Sequence, residues 1–224
     1  QNALVEAIAA ANARTIVVMS VPGAVLTPWR HLVAALLVNF MPGQQAGNAI
    51  ADVLFGAVNP SAKLPLTYPA AENETALSPT QWPGYPDPKH PQYANYSEGL
   101  LVGYRYYDAR AIEPAYPFGH GLSYTRFEYS ALHVRAAADQ TVVSFNMTNV
   151  GALAGAEVAQ LYLSFPPAAG EPPKVLRRFS KVMLKPGQTA VVQFEPLSAL
   201  SDMAIWSETT HSWEVVPGSF GVLV

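Results

Sequence analysis

A chain of 224 residues is long enough for one large domain or two ordinary ones, and half of its residues are hydrophobic, so a sizeable core is expected. Charged residues make up 13%, well below the roughly 25% usual in soluble domains, so part of the surface is expected to be covered by another domain, a partner or glycans. The formal net charge of −3 and the lack of any dense Lys/Arg cluster exclude a phosphate-tracking surface, and with it a nucleic-acid partner; the absence of cysteine excludes disulfides, thiolate-bound metals and thiol nucleophiles.

In chain order, Asn2 to Asn12 places Leu4, Val5, Ile8 and Ala9 on one face and predicts a helix. Thr15 to Val21 is a short β-branched run closed by Pro22, and Val33 to Phe40 is a second apolar run; both read as buried strands. A turn and short helix around Trp29 join them. Pro42-Gly43 opens a helix from about Gln44 to Phe55, with Gly56 as its stop signal. Asn59-Pro60-Ser61 then turns the chain into a third strand, Lys63 to Tyr68.

This alternation argues for parallel strands with helical crossovers. Two or three strands with so few helices cannot cover both faces of a parallel sheet, so residues 1–68 are expected to be half of an α/β domain completed from elsewhere. The N-terminus lacks the basic start and small-residue cleavage site of a signal peptide. It opens inside a helix, so the protein is expected to start further upstream. No apolar run reaches the roughly 18 residues needed to span a bilayer.

Residues 69–126 form a long loop and connector. The part from 69 to 94 has six prolines and no hydrophobic period. A loop of this length is expected to be functional, and Trp82, Tyr85 and Tyr93 set it apart from simple disordered sequence. From 127 to 224, short strands alternate with turn signals such as Lys185-Pro186-Gly187 and Pro217-Gly218. Six or seven strands are expected: Tyr129–Ala136, Thr141–Asn149, Glu157–Phe165, Leu176–Leu184, Ala190–Pro196, and a last stretch from Trp213 to Val224. Their number and spacing predict an all-β sandwich of immunoglobulin-like proportions. Three N-x-[ST] sequons begin at Asn73, Asn95 and Asn146. Nine asparagines would yield about one by chance, so the excess points to an exposed, secreted glycoprotein.

Several passages resemble one family. IVVMSVPGAVLTPW and NFMPGQQAGNAIADVLFGAVNPSAKLPLTYP are similar to the α/β sandwich domain of glycoside hydrolase family 3. YSEGLLVGYRYYD and PFGHGLSYT resemble the segment that closes it. GAEVAQLYLSF, PPKVLRRFSKVMLKPGQTA and WEVVPGSFGVLV are similar to the family's fibronectin type III-like domain. The sequence departs from the pattern at Ala62, where Gly is usual, and at His120, where Tyr is usual. The resemblance implies a parent that is a retaining, exo-acting β-glucosidase or β-xylosidase, secreted or lysosome- or vacuole-like. Its carboxylates would sit about 5–5.5 Å apart, the nucleophilic Asp on an N-terminal (β/α)8 barrel and the acid/base Glu on a loop preceding Gln1.

The resemblance therefore assigns no catalytic residue to this chain. Glu98, the one tempting carboxylate, is expected instead to pair with Arg105 or to cap backbone N–H groups at the junction between the two domains, where Arg105 and His120 act as anchors. Trp82, Tyr85 and Tyr93 are candidates for the substrate entrance, because aromatic faces stack on sugar rings. Trp29 and Trp206 read as core. Ser20 lacks the glycines of a nucleophile elbow, Gly43-x3-Gly47 is no phosphate loop, and the five histidines lack metal-ligand spacing. No metal or cofactor is expected. The partners implied are the barrel, the rest of the α/β domain and a di- or oligosaccharide, with a homodimer or larger extracellular assembly as a further arrangement. The rival reading is a non-catalytic relative serving as a structural or carbohydrate-binding component of such an assembly.

Overall fold

The computed structural model describes residues 1–84, 93–137 and 139–224. The chain divides into two compact units. One comprises Gln1–Val58 and Leu64–His120, the other Asn59–Lys63 and Gly121–Val224.

The first unit is α/β. Helix α1, Asn2–Ala11, is rich in Ala and carries Leu4 and Glu6, all good helix formers. It ends where Asn12 turns to extended backbone (φ −147°), its N–H still donating to Ile8 O. Strands β1, Ile16–Met19, and β2, Ala35–Val38, pair in parallel, with Ile16 opposite Ala35 and Met19 opposite Val38. Both are shorter than the apolar runs that contain them. The segment between them forms turns closed by Arg30 N to Thr27 O and Leu32 N to Trp29 O, with no helix. Helix α2, Ala46–Leu54, is capped at Phe55, and Gly56 takes φ +77°, a left-handed conformation that glycine adopts without steric cost.

The core of this unit is Met19, Trp29 and Tyr68, packed by Val5, Val17, Leu36 and Val38 among others. Trp29 is buried as expected, and its indole donates to Asn2 Oδ1 at 3.0 Å. The predicted third strand differs: Leu64–Tyr68 joins no sheet and makes a single antiparallel bridge, Tyr68 to Tyr116. Two further backbone bonds, Leu64 N to His120 O and Gly119 N to Leu64 O, hold it to 116–120. Lys63-Leu64-Pro65-Leu66 offers a proline where a central strand needs an N–H, which explains the loss of the ladder. Apolar surface stays open on this unit. Leu4, Ile16 and Phe55 are 64, 49 and 90% exposed, and no residue of α2 is fully buried.

The second unit is a β-sandwich. Its strands are β3 (Phe127–Ala136), β4 (Gln140–Asn149), β5 (Gly155–Ser164), β6 (Val175–Leu184), β7 (Thr189–Gln193), β8 (Leu197–Ser198), β9 (Ala204–Ser207), β10 (Ser212–Val215) and β11 (Gly221–Leu223). One sheet has the order β3-β4-β7, with β8 also on β4; the other has the order β11-β5-β6. β9 and β10 form a separate hairpin, preceded by a short helix at Ala199–Asp202.

Alternation places Val143, Phe145 and Met147 of β4 against Ala159, Leu161 and Leu163 of β5, with Leu184, Val192, Phe194 and Leu197 completing the core. The expected run from Trp213 to Val224 is two strands, β10 and β11, separated by the Pro217-Gly218 turn. Polar side chains tie the loops. Asn149, fully buried, accepts from Thr125 Oγ1 at 2.7 Å and donates to Leu153 O and Leu184 O. Asn59 accepts from Ser123 Oγ and Tyr124 N and donates to Ala154 O. Lys63 Nζ reaches Gly121 O at 2.8 Å and Glu157 Oε1 at 2.9 Å. These contacts place Asn59–Lys63 with the sandwich although the sequence continues the α/β run.

Candidate functional site

The chemistry-bearing residues of the first unit gather on residues 69–84 and 93–103 and on one short helix, Tyr104–Arg110, within the stretch expected to be loop and connector. Gly103 precedes this helix at φ +60°, and Ala111 closes it in the left-handed region at φ +51°. Two of its tyrosines reach the loop. Tyr107 donates its hydroxyl to Glu74 Oε1 at 2.6 Å, and Tyr106 donates to Thr75 O at 2.7 Å. The other Glu74 oxygen accepts from Ala70 N and Ala71 N at 2.9 and 2.8 Å. Burial, then the hydrogen bond and charge of Glu74, push the Tyr107 phenol well above its ordinary range, so it stays a neutral donor.

Downstream, Ser78 N donates to Gln81 Oε1, and Gln81 N and Trp82 N both donate to Ser78 O. Asn95 N donates to Thr80 O at 2.7 Å, closing the loop from its far side. Gln81 Nε2 donates to Glu98 Oε2 at 3.1 Å. Trp82 is thus bracketed by backbone and side-chain bonds, yet its side chain is 73% exposed. Tyr93 is 85% exposed. Tyr85 lies outside the described residues.

The partner found for Glu98 is the Gln81 amide, where the sequence suggested Arg105 or backbone N–H groups. The Arg105 guanidinium lies 5.8 Å from the centre of the Tyr104 ring, which itself stacks on Phe118 at 4.7 Å. His120 packs its ring 5.3 Å from that of Tyr116, and its carbonyl accepts from Leu64 N. Asn73 and Asn95 are exposed on the loop; Asn146 is half-buried in mid-strand on β4. Among the described residues no group of three His, Asp or Glu could hold a metal ion, and no helix is long and apolar enough to cross a membrane.

Glu74, Tyr106 and Tyr107 were not singled out by the sequence. The available signal was the run Tyr104-Arg105-Tyr106-Tyr107, since a buried tyrosine hydroxyl needs a hydrogen-bond partner. Which carboxylate supplies it depends on the tertiary path of the loop.

Residues 1–124 match the glycosyl hydrolase family 3 C-terminal domain, and residues 157–224 match the fibronectin type III-like domain. The chain belongs to glycosyl hydrolase family 3. Among its relatives, thermostable beta-glucosidase B of Acetivibrio thermocellus is 41% identical across 100% of this chain and 29% of its own length. Beta-glucosidase B of Emericella nidulans is 42% identical across 100% of this chain and 27% of its own. A Streptomyces venezuelae beta-glucosidase, solved in complex with D-glucose, superposes with a TM-score of 0.90 at 38% identity, covering 98% of this chain and 28% of that one. Beta-glucosidase 3B from Thermotoga neapolitana, in complex with glucose, gives a TM-score of 0.86 at 35% identity, with 99 and 31% covered. The family 3 chain described here therefore spans less than a third of the length of these relatives, and its order is an α/β-type C-terminal domain followed by a fibronectin type III-like domain.

Proposed function

We propose that this chain is the C-terminal portion of a retaining, exo-acting β-glucosidase that removes terminal β-linked glucosyl units from di- or oligosaccharides. The observation that carries the proposal is the full-chain match to proteins named beta-glucosidase, two of them solved with glucose, at less than a third of their length. Both catalytic carboxylates are then supplied by the remainder of the parent, as the resemblance implies. The chemistry of Glu74 and Glu98 supports this. Three donors converge on Glu74, and Glu98 is held by an amide, whereas a retaining site needs two carboxyl groups facing one glycosidic bond.

The partners in this reading are the N-terminal barrel and the rest of the α/β domain. The open apolar surface at Leu4, Ile16 and Phe55 supports a covering segment of that kind. Trp82 and Tyr93 shape the substrate entrance, which the exposure of these two on a loop of the α/β unit supports; Tyr85 is assigned to it by its place in the same aromatic-rich stretch of sequence. Arg105 and His120 serve as structural anchors. Secretion with glycans on Asn73 and Asn95 fits their exposure.

The test is an assay with 4-nitrophenyl β-D-glucoside. Residues 1–224 alone should show no turnover, while the full-length parent should release glucose whose first-formed anomer is β, read by NMR. Robust turnover by the chain alone would show that it carries its own acid/base pair. An inactive parent would instead favour a non-catalytic scaffold.

A further inference from the structure

The turn at Asn73–Ala76 holds two non-glycine residues in the left-handed region, Asn73 at φ +57° and Ala76 at φ +48°. Asparagine tolerates that conformation, but alanine does so only when surrounding bonds impose it. Those bonds come from two directions. Ala70 N and Ala71 N converge on one oxygen of Glu74, the way a backbone nest holds an anion. On the helical side, Tyr107 takes the other oxygen of Glu74, and Tyr106 takes the carbonyl of Thr75. Adjacent helical residues point about 100° apart, so the two hydroxyls grip the turn from two sides.

A short segment downstream, the same loop brackets Trp82 with the Ser78 turn, the Asn95–Thr80 bond and the Gln81–Glu98 bond. The element so carefully fixed presents an indole that is 73% exposed. A stacking surface for a sugar or an aglycone gains by being held in place.

We propose that Glu74 is a positioning residue. Its carboxylate fixes the strained turn and thereby the loop that presents Trp82, so that substrate binding, and not the chemical step, depends on it. The inference rests on the reading of Trp82 as part of the substrate entrance.

The experiment uses the full-length parent with cellobiose and 4-nitrophenyl β-D-glucoside, and compares Trp82→Ala, Glu74→Ala, Glu74→Gln and the double variant Glu74→Ala/Trp82→Ala. Trp82→Ala should raise KM about tenfold, the scale of one lost aromatic contact, with kcat within about twofold. Glu74→Ala should raise KM about fivefold at unchanged kcat, and the double variant should be no worse than Trp82→Ala alone, because both act through one surface. Glu74→Gln should recover most of the loss, since its amide oxygen still accepts from Ala70 N and Ala71 N. In the same protein, amide exchange across residues 71–82 should quicken about tenfold or more in Glu74→Ala.

Unchanged exchange in Glu74→Ala overturns the anchoring itself. Quickened exchange with unchanged KM, or full additivity in the double variant, overturns the link to binding. A wild-type parent that hydrolyses no β-glucoside overturns the functional reading, and the KM consequence with it, while leaving the exchange result to judge the anchor.

Discussion

At the scale of single residues, the sandwich is tied by buried polar groups that each hold several partners. The clearest is Asp202, 5% exposed. Arg178 binds it with both terminal nitrogens, at 2.7 and 2.8 Å, and Ser198 N donates to it at 2.8 Å. Burial opposes its charge, but the hydrogen bonds from Arg178, Ser198 and Ser201 and the Arg178 charge outweigh that and hold the carboxyl below its ordinary range. Its folded pKa is therefore lower than the unfolded value of about 3.9. The stabilisation is present above that pH and is lost as pH falls through the folded value. Asp202→Asn should lower unfolding free energy by about 3 kcal/mol at neutral pH, because Arg178 keeps its charge and loses its partner. Urea melts should show the gap from wild type flat above about pH 5 and closing in more acidic solution. Nothing in LRRFSK distinguishes Arg178 from Arg177 as the residue to be paired; the pleat decides, by turning one of the two toward Asp202.

At the scale of elements, short runs bounded by turn signals made the sandwich strands legible, and β3 to β6 fall within a few residues of their expected spans. Phe145, 2% exposed between Tyr129 and Phe194 at 5.1 and 5.8 Å, shows what an inward-facing strand position is worth. Phe145→Ala should cost about 3–5 kcal/mol in a urea titration. Trp206 shows where the same reasoning fails. Read as core, it stands half-exposed on the β9–β10 hairpin, where it meets Trp213 edge to face at 5.7 Å. Among the described residues that hairpin pairs with no third strand. Trp206→Ala should accordingly cost no more than about 1 kcal/mol, the range of a cross-strand pair. A loss as large as that of Phe145→Ala would mean that the ring is buried. In the first unit, the helix Tyr104–Arg110 is not legible in the sequence because it is short and bounded by loop-like sequence. Its tyrosines serve the loop at Glu74 and Thr75 as well as packing inward.

At the scale of the whole molecule, the sequence places the α/β run at residues 1–68, whereas the compact units divide differently: Asn59–Lys63 groups with the sandwich, and Leu64–Tyr68 is bonded to residues 116–120. Residues 1–68 expressed alone would lack Tyr116, the backbone partner of the buried Tyr68, and should be poorly soluble or molten. A cooperative, two-state thermal melt of that segment would contradict this. By itself the sequence determined the order of an α/β part and a β part, the parallel pairing of the first two strands, the main strands of the sandwich and the membership in family 3. Those features follow from local periodicity and from motifs contiguous in the chain. The tertiary structure alone decided that Glu74 and the tyrosines 106 and 107 meet, that Glu98 takes Gln81, and that Asn59 and Lys63 serve the sandwich. These are contacts between residues far apart in sequence. A polar side chain carries no periodic signal of its partner; the tertiary path of the chain decides which donors and acceptors come within reach.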